Sequence, residues 1–378
     1  TITCLFNGVC VWEQVNRGPT LECGFQLHSV PVAFETWGML NTRCNNVMVI
    51  CHPFIRSADV DEWLGNPLLG PGRAFDTTRF FIVCMNVLGS PYGTASPLSF
   101  DPLTGMRYGP EFPPTTIRDV VRLHKLILDY LGVQSVAIIM GGSMGGMTTL
   151  EWPLCFPGFV KCLILMATCA KHSAWCIGWG EAQRQAIYSD SAFEDGYYDV
   201  QPTSGIAAAR MAGLLTYRSR DSYEERFGRI LSPHNRAGAG RGNDRAHPMF
   251  TAQSYLLCQG AKFAAKFDAN CYIHITHKMD THDITRDRVS ESLGLDEAGA
   301  LAAVLATLPP NALVLSIDTD GLCLPLEQMT IAEGIPDAEL VVISSLTGHV
   351  GFLVESEKIN TIVVGYLRRQ LGEFYEII

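Results

Sequence analysis

The sequence predicts a mainly parallel α/β sheet divided by a helical insertion, and three observations carry that prediction. Short apolar runs recur between turn residues, at 46–51, 80–85, 136–140 and 161–166. Strands buried on both faces read this way, because neither face can be polar. The rhythm stops near residue 170 and returns at 312–317 and 340–344. Third, Gly141-Gly142-Ser143-Met144-Gly145 stands where one of these strands gives way to a helical pattern.

The elements follow in order. Residues from about 8 to 37 alternate in hydrophobicity in pieces, such as 27–34, and predict antiparallel edge strands. Residues 115–131 place Ile117, Val120, Val121, Leu123, Leu126, Ile127 and Tyr130 at helical spacing, with Gly132 as the stop. From 171 to 306 the pattern is helical in patches, at 206–217 and 250–267, around a polar Gly- and Arg-rich stretch at 234–245 that predicts an exposed loop. A closing helix is expected at about 355–371. The expected organisation is a core of 1–170 and 307–378 split by a helical lid of 171–306.

Bulk properties narrow the function. Of 378 residues, 47% are apolar and 17% charged, so a large core is available and disorder is excluded. Lys and Arg number 28 against 38 Asp and Glu, a net charge of −10 with no basic cluster, which argues against a nucleic-acid partner. Thirteen cysteines without a C-x-x-C pair suit buried reduced thiols and a cytoplasmic location. The spacing of Cys155, Cys162, Cys169 and Cys176 crosses helix, strand and loop, and carries no pattern. No apolar run reaches bilayer length. The chain begins at Thr1, so a preceding targeting segment would not be visible.

A G-x-S-x-G between strand and helix is the nucleophile elbow of α/β-hydrolase folds. The competing reading is a glycine-rich turn with a bystander serine. The tight turn would lift the Ser143 hydroxyl to the carboxyl end of the sheet and put the Met144 N–H at a helix N-terminus, ready for an oxyanion. On this fold an acid and then a histidine follow the serine on later strand loops. Asp318-Thr-Asp320-Gly follows the strand at 312–317, and Gly348-His349-Val350-Gly351 the one at 340–344. Ser143, Asp320 and His349 are therefore the expected triad, with Asp318 the rival carboxylate. Cys51-His52-Pro53-Phe54-Ile55 follows an early strand, so the Phe54 N–H is the expected second oxyanion donor and His52 a support for that loop. His274, His277, Asp280, His282 and Asp283 crowd together without a closed zinc spacing, and no metal is expected. Gly70-Pro-Gly-Arg73 lacks a Walker lysine and reads as a turn.

Several blocks extend the motif. Gly141-Gly-Ser-Met-Gly-Gly146, Asn86-Val-Leu-Gly89, Ala209-Arg-Met211, Thr216-Tyr-Arg-Ser219, Phe267-Asp-Ala-Asn270, Met279-Asp-Thr-His-Asp283 and Gly348-His349 resemble the homoserine O-acetyltransferase family over nearly the whole chain. The resemblance implies acetyl transfer from acetyl-CoA, a donor substrate rather than a bound cofactor, to a substrate hydroxyl through an acetyl-serine. It also implies that Arg218 meets a substrate carboxylate. Where the family has an aspartate after the histidine, to hold the homoserine ammonium, this chain has Val350. Its loop 52–56 is bulkier than the family's His-Ala-Leu-Thr-Gly, and its carboxylate loop reads Asp320-Gly-Leu-Cys-Leu-Pro325. These departures resemble the fungal offshoot that acetylates deacetylcephalosporin C in antibiotic biosynthesis, which is the expected acceptor. Homoserine, in methionine biosynthesis, is the alternative acceptor, and a serine esterase the alternative activity. The expected partners are small molecules, with a homodimer through the lid open to the chain.

Overall fold

The computed structural model describes residues 2–5, 9–12, 20–28, 30–233 and 248–376. The loop expected at 234–245 lies outside the described residues. One nine-stranded sheet runs through the molecule in the order β1-β2-β3-β5-β4-β6-β7-β8-β9. Its strands are β1 (Ile2–Leu5), β2 (Val9–Trp12), β3 (Val32–Trp37), β4 (Val47–Cys51), β5 (Phe81–Met85), β6 (Val136–Gly142), β7 (Val160–Met166), β8 (Leu313–Ile317) and β9 (Glu339–Ile343). β1 to β3 form an antiparallel edge that joins β5; from β5 through β9 every pair is parallel.

The central strands feed two apolar layers. Along β4, Val47 and Val49 enter one layer and Met48 and Ile50 the other, as the two-residue period of a strand requires. The first layer is closed by α1 (Ile117–Tyr130) and α2 (Met144–Cys155), the second by the closing helix, α10 (Ser356–Gln370). Each fully buried Val, Leu or Ile is worth about 1.5–3 kcal/mol, so the six parallel strands form a rigid platform for the loops at their carboxyl ends.

Local chemistry sets the helix limits. Thr116 and Asp119 form a reciprocal capping box at the start of α1: the Asp119 N–H donates to Thr116 Oγ1 (3.2 Å) and the Thr116 N–H to Asp119 Oδ2 (3.0 Å). Gly132, at φ 78°, turns the chain away after it. Between β7 and β8 the chain leaves the sheet for a helical segment inserted in the α/β core. Its helices among the described residues are α3 (Ala174–Tyr188), α4 (Thr203–Tyr217), α5 (Arg220–Phe227), α6 (Thr251–Ala264), α7 (Ala269–Asp280) and α8 (Glu297–Leu305), and α9 (Pro325–Gly334) then follows β8. The single patch expected at 250–267 is α6 alone. It ends before Phe267, and Asp268 caps a separate helix by accepting from the Cys271 N–H (2.9 Å). Among the described residues, no helix is long and apolar enough to cross a membrane.

Candidate active site

Ser143 stands between β6 and α2 at φ 56°, ψ −127°, a conformation that L-residues avoid at a cost of about 1–3 kcal/mol. Its backbone is tied on both sides. The Ser143 N–H donates to the Met166 carbonyl (3.0 Å), and Thr168 Oγ1 donates to the Ser143 carbonyl (2.8 Å). The approach is so close that a Cβ on Gly145 would stand 2.1 Å from the Cys51 carbonyl oxygen. Cys51 begins the loop that carries Phe54. A Gly145→Ala protein should therefore push that loop away and lose about 10²-fold or more in acylation rate, the order seen when one oxyanion donor is removed. Single-turnover kinetics would check it, and a rate within threefold of the parent (about 0.65 kcal/mol, below any donor's effect) would show that the loop absorbs the methyl.

The three residues expected to act together meet at the carboxyl ends of β6, β8 and β9. His349 Nε2 lies 2.9 Å from Ser143 Oγ, and His349 Nδ1 lies 2.8 Å from Asp320 Oδ2. Asp320 Oδ1 accepts from the Leu322 and Cys323 N–H groups (2.8 and 3.0 Å), so all its lone-pair directions in use are fixed. Both His349 and Asp320 are only 4% exposed. The rival carboxylate, Asp318, points elsewhere: its Oδ1 accepts from the Ser345 N–H (3.0 Å) and joins the β8 and β9 loops.

Neither the Met144 nor the Phe54 amide has a backbone partner among the described residues. Met144 opens a twelve-residue helix, whose first N–H groups have no acceptor within the helix. Phe54 and Ser143 line a cavity of about 310 Å³ between the sheet and the inserted helices, and Met144 follows Ser143 directly. His52 is fully buried. Its Nδ1 faces the Pro53 carbonyl (3.0 Å) and its Nε2 takes the Val87 N–H (3.2 Å). Burial pushes its pKa down to about 4, so it stays neutral and braces the loop.

Arg218 ends α4 and lines the cavity; a Cβ on Gly348 would stand 2.8 Å from the Arg218 carbonyl carbon, which puts this arginine's backbone against the histidine turn. Val350 lines the same cavity beside His349, with Leu353 and Val354. Two further cationic residues border it that sequence reading passed over, Arg56 and Arg210. Both lay inside blocks already singled out, 52–56 and 209–211, but nothing local shows that the two blocks face one another.

The His and Asp crowd of 274–283 disperses. His274 Nε2 pairs with Thr115 Oγ1 (2.8 Å), His282 Nε2 faces the Cys169 carbonyl (3.2 Å), and Asp280 binds Arg184 (2.8 Å). Among the described residues no group of three or more His, Cys, Asp or Glu surrounds one point. Gly70 accepts the Arg73 N–H (3.1 Å) in a plain turn.

A family model described as the alpha/beta hydrolase fold matches residues 46–356. A homoserine O-acetyltransferase of Cryptococcus neoformans var. grubii is 46% identical, over 94% of this chain and 88% of its own length. That of Saccharomyces cerevisiae is 43% identical, over 92% and 84%. Among solved structures, homoserine O-acetyltransferase from Bacillus anthracis superposes with a TM-score of 0.82 at 23% identity, over 97% of this chain and 99% of that one. Esterase E22 does so at 0.79 and 24% identity, over 94% and 98%. These two likenesses show the fold.

Proposed function

This chain belongs to the α/β-hydrolase fold family and, within it, to that of the homoserine O-acetyltransferases, and we propose that it is an acetyl-CoA-dependent O-acetyltransferase working through an acetyl-Ser143 intermediate. The observation that carries the reading is the chain of contacts Ser143 Oγ, His349, Asp320 on the floor of a cavity. His349 takes the Ser143 proton as Oγ attacks the thioester carbon. The Met144 and Phe54 N–H groups hold the oxyanion, and Asp320 steadies the imidazolium. Collapse breaks the C–S bond, and CoA leaves as its thiol with the proton from His349. The acceptor hydroxyl then gives its proton to His349 and attacks the acetyl carbon; the bond to Ser143 Oγ breaks, and Oγ takes the proton back from His349.

The acceptor is a small hydroxyl compound with a carboxylate for Arg218. Homoserine, named for the relatives, is the reference acceptor of that class. None of those relatives supports deacetylcephalosporin C, so the alternative acceptor replaces the expected one. The inserted helices serve as the lid: by keeping water from the acetyl-serine they favour transfer over hydrolysis. The eleven cysteines from Cys23 to Cys323 are free, which suits a reducing, cytoplasmic setting.

Incubation with acetyl-CoA alone should add one acetyl mass to the peptide containing Ser143. An identical label in a Ser143→Ala protein would remove the assignment. Release of acetate as fast as any acceptor is acetylated would make the chain an esterase.

A further inference from the structure

Asp280, the last residue of α7, is the one carboxylate among the described residues that line the active-site cavity. Its two oxygens are used unequally. Oδ2 pairs with Arg184 Nη2 at 2.8 Å. Oδ1 is buried without a hydrogen-bond partner. His172 Nδ1 lies 3.4 Å from Oδ1 but makes no hydrogen bond to it and is itself unpartnered. A second cavity also borders Asp280. Oδ1 belongs to the catalytic one. Beside it stand His172 and Gly180, whose added Cβ would be 3.5 Å away, and both line the catalytic cavity and not the second.

A carboxylate oxygen left this way has lost water without gaining a donor. Charge decides which donor suits it. Arg184 is shared with Glu181, whose Oε2 accepts from its Nε at 2.9 Å, so two carboxylates face one guanidinium and one negative charge remains. His277 does not offset it: burial and the nearby Arg184 hold its imidazole below the ordinary pKa, and it stays neutral at pH 7. The complement of this oxygen is a cation with a proton to donate. The rest of the cavity offers such a group nothing comparable. Arg56, Arg210 and Arg218 are cations themselves, and the wall beside His349 is the hydrocarbon of Val350, Leu353 and Val354. Ser143 and His349 line the same cavity, and the Tyr217 ring on its wall lies 6.2 Å from the His349 ring, so a ligand at Asp280 shares the space where acetyl transfer occurs.

We infer that Asp280 Oδ1 holds the ammonium of the acceptor, so that this chain selects amino-bearing hydroxy acids over hydroxy acids without nitrogen; the inference rests on the acetyl-serine reading above and assigns one subsite within it. A guanidinium fork matches a carboxylate in geometry and charge. A zwitterion held by its carboxylate on the arginine side and by its ammonium at Asp280 is fixed at two points, which leaves its hydroxyl to be aimed at His349.

Two acceptors with the same hydroxyl-to-carboxylate spacing test this, homoserine and 4-hydroxybutanoate, each with the purified chain and acetyl-CoA, products identified by mass. The parent should favour homoserine in kcat/KM by about tenfold or more, the factor that one charge-assisted hydrogen bond supplies. Asp280→Asn should erase most of that ratio, because an amide carries no charge, while acetyl-Ser143 still forms from acetyl-CoA alone within about threefold of the parental rate. Gly180→Ala is the second variant. It keeps both charges and suits a helix better than glycine, but its methyl would shield Oδ1 and should lower the ratio as well. If Asp280→Asn does not fold, Gly180→Ala decides, and a ratio equal to the parent's overturns the inference. So does a parent that acetylates 4-hydroxybutanoate as efficiently as homoserine, or an Asp280→Asn protein that folds and keeps the parental ratio. Slower acylation in Asp280→Asn with that ratio intact would give the carboxylate to CoA instead. Acetyl-Ser143 that forms in the parent but passes to neither acceptor would overturn the subsite and leave the acyl-enzyme standing. If no acetyl-Ser143 forms at all, the mechanism of the preceding subsection fails first, and this inference with it.

Discussion

A His349→Ala protein is expected to turn over acetyl-CoA and acceptor about 10³–10⁴-fold more slowly than the parent, and Asp320→Asn to lose a similar factor. The two act through one proton path. Ser143 Oγ is 2.9 Å from His349 Nε2, and Asp320 Oδ2 is 2.8 Å from Nδ1. With Asp320 replaced by an amide, the ring would be held in the tautomer that places its proton on Nε2, where it cannot take one from serine. The losses should not add to that of Ser143→Ala, because the three residues work as a unit. Asp318→Asn is the internal control: its carboxylate ties the Ser345 N–H at 3.0 Å and touches no triad atom. Steady-state kinetics of the four single variants and the double variants would decide it. A crippled Asp318→Asn beside a mild Asp320→Asn would reverse the assignment.

What could be read in the sequence was what is locally encoded. Apolar runs such as 46–51 and 161–166 became β4 and β7 because a strand buried on both faces has no other composition available. The order Ser143, Asp320, His349 was legible because each follows a strand that announces itself. Boundaries set by partners were not. The strand expected to stop at Met140 continues through Gly141 and Gly142, two poor strand formers, because β7 pairs with them at Leu165 and Met166. The crowd at 274–283 looked like a ligand set only while its backbone was unknown. On α7 and the turn after it, its members face Thr115, Arg184 and Cys169 in three directions. Arg56 and Arg210 illustrate the other limit: an arginine in a loop and one in a helix carry no sign that folding brings both to one cavity.

The largest effect on stability is expected at Glu151, on the elbow helix α2. Its side chain is 2% exposed and bound by two cations: Arg288 at 3.1 and 2.5 Å, and Arg118 at 3.4 Å. Arg118 reaches Glu22 at 3.4 Å, and Glu22 in turn binds Arg286 at 2.6 Å. The burial of Glu22 acts to raise its pKa, but hydrogen bonds from Thr116 and Arg286 outweigh it and hold the carboxyl below its ordinary value. The network thus fastens residues 286–288, between α7 and α8 of the inserted segment, to α1, α2 and the edge near residue 22. Removing one partner of a buried pair costs more than the pair contributes, because the survivors keep their charge without a counterion. Glu151→Ala should therefore lose about 3–5 kcal/mol, read as a lower urea midpoint at an unchanged slope. Glu151→Gln, which keeps the volume and some hydrogen bonds, should lose less. Loss under about 1 kcal/mol in Glu151→Ala would mean that water or neighbouring carboxylates already screen these arginines. The same variant links stability to chemistry. Ser143 heads the helix that carries Glu151, so loosening α2 should speed proteolysis of the inserted segment and slow acetylation of Ser143 in parallel. Faster proteolysis with an undiminished acylation rate would show that the elbow is held by the sheet alone.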